Sequence, residues 1–149
     1  ALADGEAIFF KEFSKTVKYP AQARNKGHMG LSIFSFKVDC NGQITALEFK
    51  HKLGLGIEEE IARTLNALPL KWKDCSQRNS DQAIELKVAF VISYAYNPDV
   101  ADIVVNAYIE GNYPSDAKLE GMVEKAFSKG DKEKALEILE KLILRHPFR

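Results

Sequence analysis

Cysteine is scarce in this 149-residue chain, with only Cys40 and Cys75. Their spacing is far from the paired-cysteine patterns of structural zinc. None of the three histidines, His28, His51 and His146, stands three or four positions from another histidine or a cysteine, so no metal is expected and all three read as surface residues. Net charge is missing too, because 21 Lys+Arg balance 21 Asp+Glu. That excludes a general nucleic-acid binder, whose affinity rests on neutralising phosphates. It also removes the simple electrostatic route to an acidic membrane surface. No apolar run approaches the roughly 20 residues of a membrane span, so no membrane insertion is expected. There is no charged stretch followed by an apolar one at the start, and the chain opens on Ala1, as a mature or truncated form would.

Catalytic signatures are absent as well. The chain has no Gly-x-Ser-x-Gly and no His-Glu-x-x-His. Gly54-Leu55-Gly56 precedes a helical pattern but lacks the Gly-Lys-Ser/Thr ending of a phosphate loop, and Glu58, Glu59 and Glu60 would repel a phosphate. These glutamates suit the positive end of a helix dipole in a solvated first turn. Neither an enzyme nor a cofactor is expected.

What is present is enough to fold. Hydrophobic residues make up 46% of the chain, sufficient for one domain or two small ones. Ile8, Phe9, Phe10, Phe13 and Val17 recur at helical spacing, and Tyr19-Pro20 stops that helix. Pro20 opens a short second helix capped near Gly27. Ser32, Phe34, Phe36 and Val38 alternate with their neighbours, and Asn41-Gly42 marks a tight primed turn. The return strand runs from about Gln43 to Lys52, with a bulge where Ile44 and Leu47 fall out of step. Ile57, Ile61, Leu65 and Leu68 form a helical face ended by Pro69. After a polar loop, Ile84 to Tyr94 alternate as a long half-buried strand.

From Asn97 the pattern reads as helical only. Asn97-Pro98-Asp99 starts a helix with Val100, Ile103, Val104, Ala107 and Tyr108 as its stripe, closed by Gly111. Two further helices carry Leu119, Val123, Ala126 and Phe127, then Ala135, Leu136, Leu139, Leu142 and Ile143. The expected organisation is an α+β domain over residues 1–97 and a small all-helical extension over 98–149. The strands would form a three-stranded antiparallel sheet in the order second-first-third, packed on helices, with the third strand at an edge. Residues 1–97 hold 13 basic and 11 acidic side chains, and residues 98–149 hold 8 and 10.

The chain from about Phe9 to Tyr94 resembles the C-terminal domain of the TonB energy transducers. The likeness rests on Tyr19-Pro20-Ala21-Gln22-Ala23-Arg24, Gly27, Gly30, Phe34-Ser35-Phe36-Lys37-Val38-Asp39, Asn41-Gly42 and Ile44. It continues through Leu53-Gly54, the Glu-rich helix start, Leu68-Pro69-Leu70-Lys71-Trp72 and the final strand. The resemblance implies a periplasmic protein of the Gram-negative envelope that takes part in energy transduction for transport. Its partner would be an extended peptide of a TonB-dependent outer-membrane transporter or another envelope protein, bound by strand addition. The final strand supplies the binding residues in that reading: Ile84, Glu85, Leu86, Lys87, Val88, Ala89, Phe90, Val91, Ile92, Ser93 and Tyr94. Any anchoring segment would lie outside the residues read, and a homodimer remains open.

The tail from about Asp116 resembles one tetratricopeptide hairpin, carried by Ala126-Phe127, Gly130-Asp131, Lys134-Ala135-Leu136 and Pro147. One such repeat does not bury its own face. The alternative function is therefore structural or assembly work, with the tail docking a partner and the TonB likeness one of fold only. A segment packed along Ile84–Tyr94 would favour it. Tyr94 and Tyr96 are either a contact between the two parts or a peptide platform. Cys40 and Cys75 are either two free thiols or a disulfide brought together by the topology, whose loop closure would contribute about 3–4 kcal/mol in an oxidising periplasm.

Overall fold

Alternating apolar residues build two long central strands, β1 (Gly30–Val38) and β3 (Ile84–Ile92), which pair antiparallel with Phe34 opposite Leu86. The computed structural model describes residues 6–68 and 82–148. On the other side of β1 lies β2 (Ile44–His51), also antiparallel. Phe34 and Phe36 share one face of the sheet, with ring centres 6.4 Å apart. That face is covered by α1 (Glu6–Thr16), whose Phe9 lies 6.3 Å from Phe36. With it pack the short α2 (Ala21–Asn25) region, where Tyr19 meets Phe90 edge-on, and α3 (Ile57–Ala67), which buries Ile57, Ile61 and Leu65. The class is α+β, as the sequence implies.

The β1–β2 register breaks between Ile33 and Phe34 and between Ser35 and Lys37, and Ala46 takes a φ of 51°. The expected bulge is therefore present. The connection is longer than a two-residue primed turn. Of Asn41-Gly42 only Gly42 has positive φ, and the Asp39 carboxylate gathers the N–H groups of Asn41 and Gln43, each at 2.9 Å. This local bond offers the backbone another way round.

The main correction lies at 100–108, where a helix is expected and a strand is found. β4 (Ile103–Ala107) runs parallel to β3, from Val88 opposite Ile103 to Ile92 opposite Ala107. The sheet is four-stranded and mixed, in the order β2-β1-β3-β4, instead of three-stranded and antiparallel. β3 is thus an interior strand and not an edge. Val100, Ile103, Val104, Ala107 and Tyr108 fit a helical stripe, but Ile103, Val105 and Ala107 fit alternation equally well. Three consecutive β-branched residues, Ile103-Val104-Val105, tip the balance toward strand.

The last two helices form as expected. α4 (Asp116–Ser128) is capped by Ser115, which accepts the Lys118 N–H, and α5 (Lys132–Arg145) by Asp131, which accepts that of Lys134. Between them Gly130 turns at φ 74°. Leu119, Val123 and Ile138 make the hairpin's own small core. The end of α5 returns to the sheet so closely that a Cβ on Gly30 would lie 2.6 Å from the Leu144 carbonyl oxygen.

Candidate functional site

The sequence places the binding residues on β3, and the structure distributes them unequally. Leu86, Val88, Ala89, Phe90, Val91 and Ile92 are buried, Ile84 and Lys87 are half-buried, and Glu85 and Tyr94 are exposed. The side of β3 facing away from β1 is occupied by β4 over 88–92. At the near end Asp102 seals the gap twice, accepting the Lys87 N–H at 2.9 Å and donating its own to the Lys87 carbonyl at 2.8 Å. At the far end the Ser93 hydroxyl donates to the Ile109 carbonyl at 2.7 Å and accepts the Ile109 N–H at 3.0 Å. Only Ile84 to Leu86 precede the covered stretch. An incoming strand on β3 would have to displace β4.

Tyr94 and Tyr108 follow the ends of β3 and β4 and sit side by side, ring centres 5.3 Å apart, with the Tyr94 hydroxyl donating to Tyr108 at 3.3 Å. That hydrogen bond raises the Tyr108 phenol above its usual range. Tyr96, by contrast, is buried between the two parts. Its hydroxyl donates to the Arg145 carbonyl, the Arg145 guanidinium lies 5.8 Å from its ring centre, and His146 meets it edge-on. Of the two readings open for this pair, Tyr96 is an internal contact and Tyr94 a surface ring.

His146 is not a surface residue, contrary to expectation. It is 4% exposed, with Nδ1 2.9 Å from Asp99 and Nε2 2.7 Å from Asp116. Arg145 joins it, donating to Asp116 at 2.9 Å and to the Pro114 carbonyl at 3.0 Å. These partners lie about 30 or more positions away, so no local spacing could signal the cluster. His28 and His51 are half-buried and bonded to the carbonyls of Leu53 and Leu31. The acidic helix start also has work to do. Glu58 accepts the N–H groups of Leu53 and Gly54, and Glu60 accepts that of Lys18.

Comparison with family models, curated proteins and solved structures returns no match. The surface itself must therefore carry the functional reading. On the outer side of the hairpin, Leu136, Leu139 and Ile143 recur at helical spacing along α5. Leu136 and Ile143 are 59% and 57% exposed, and Phe127 of α4 is 53% exposed. An open cleft of about 210 Å³ lies here, lined by Glu120, Leu139, Leu142, Ile143 and His146. Sequence reasoning identifies these apolar residues as helix faces but does not mark which side stays uncovered.

Cys40 is exposed and disulfide-bonded. Cys75, with Pro69 and Trp72 of the proposed family likeness, lies outside the described residues. Among the described residues no cluster of His, Cys, Asp and Glu is placed to hold a metal ion, and no helix is long and apolar enough to cross a membrane.

Proposed function

We propose that this chain is a non-enzymatic assembly protein of the cell envelope, docking a partner through the outer face of its helical tail. The reading rests on one observation above all: the tail's own strand β4 pairs along β3, where strand addition would otherwise occur. With β4 in place, β3 is interior and has few backbone groups left to offer a peptide. The likeness to the TonB C-terminal domain is then one of fold, without the transducer's peptide-binding edge. The exposed Leu136 and Ile143 of α5, with the half-buried Leu139 and Leu142 lining the cleft beside Ile143, suit an amphipathic helix of the partner laid along that face. The disulfide at Cys40 supports an oxidising compartment, with the periplasm as the reading that fits the family likeness.

Photo-crosslinking in the native cell tests this. A benzophenone side chain introduced at Leu136 or Ile143 is expected to capture the same partner, and Phe127→Glu to abolish both adducts. Adducts from position 85 on β3, with none from the hairpin, would instead return the function to strand addition on that edge.

A further inference from the structure

The two edges of this sheet are built differently. β2 carries Glu48, Lys50 and His51, two breaks in register and a positive φ at Ala46. Charges and bulges of this kind keep an edge strand from pairing with another chain. β4 has none of them. The run Ile103-Val104-Val105-Asn106-Ala107-Tyr108-Ile109 contains no charge, no proline and no glycine, and it is rich in β-formers. Among the described residues no strand lies beyond β4. Ile103 and Val105 are buried, whereas Val104 is 43% and Tyr108 66% exposed.

We propose that β4 pairs with β4 of a second copy, antiparallel about a two-fold axis at Val105, joining two four-stranded sheets into one. A second copy fits this edge because the run pairs with itself without opposing like charges. About such an axis Val104 of one copy meets Asn106 of the other, Ile103 meets Ala107, Asp102 meets Tyr108 and Val100 meets Glu110. The acidic residues flanking the run therefore face uncharged ones, and no like charges oppose each other. The surface is complementary to itself, as an isologous interface requires. Five residues of strand span only about 17 Å, so the dimer is reversible.

Sedimentation velocity of the full chain over a concentration series tests this, with circular dichroism confirming that each variant folds. The wild type is expected to dimerise by mass action. V104K/N106K sets lysine against lysine twice at exposed positions and is expected to weaken association roughly tenfold or more. V104K/N106E sets lysine against glutamate twice and is expected to recover it to within about threefold of wild type. Hydrogen exchange of the unaltered protein adds a readout free of substitutions, because β4 amides should gain protection as concentration rises. A wild type monomeric throughout overturns the proposal. So does association undiminished in V104K/N106K, no recovery in V104K/N106E, or a dimer lost only on Leu136→Glu.

Discussion

Arg145 and His146 tie the end of α5 to the start of α4 through Asp116, and both meet Tyr96 of the first part of the chain. A buried guanidinium is stable only while its counter-charge and hydrogen bonds are intact. Arg145→Ala leaves Asp116 without its cation and uncovers the face of Tyr96, so it is expected to cost about 3 kcal/mol by urea denaturation. Ser32 is the opposite case. Its hydroxyl is buried opposite Val88 with no hydrogen-bond partner among the described residues. Ser32→Ala should therefore stabilise the fold, by about 1 kcal/mol in the same measurement. At Glu60, burial works against the charge, but hydrogen bonds from Arg63 and the Lys18 N–H outweigh it and hold the carboxyl below its usual range. The contribution of such a group is present above the unfolded pKa and disappears as pH falls through the folded one. The stability gap between wild type and Glu60→Gln is thus expected at pH 7 and should close below about pH 4.

At the scale of elements, β4 decides the architecture, and its anchor is Ser93. Removing that hydroxyl breaks two bonds to Ile109, so Ser93→Ala should cost about 1–2 kcal/mol and speed hydrogen exchange across 103–107 before it affects β1. Much of the rest was legible from the residues. The phenylalanines of β1, the alternation of β3, the bulge in β2 and the capped helices α4 and α5 all follow from local pattern. The 100–108 segment did not, because its apolar positions satisfied both the helical and the strand period. The choice between those periods is made by β3, which lies in space beside the segment and offers it a ladder. The buried cluster of Asp99, Asp116, Arg145 and His146 was illegible for a related reason. Its members are polar, far apart in sequence, and meet only once α5 has folded back.

At the scale of the whole molecule, the sheet draws three strands from residues 1–97 and one from the remainder. The main core likewise includes Ile103 and Val105, with Ile109, Tyr113 and Leu144 packed against it. Residues 1–97 alone would expose the paired side of β3 and empty the contacts around Tyr96. That fragment is expected to lose cooperative thermal unfolding and to elute as aggregate in size-exclusion chromatography. Gly30→Ala should act at the same joint, since a methyl there meets the Leu144 carbonyl and the Leu53 side chain. A cost of about 1–3 kcal/mol is expected, with faster proteolysis within α5.

The place of β4 in the sequence also bears on how the chain is made. A ribosome releases residues in order, and Ala107 follows Ile92 by only fifteen positions. At about 5–20 residues per second, the sticky side of β3 goes without its cover for roughly 1–3 s. A short parallel connection thus shields the nascent chain within seconds, before the helices behind it are complete.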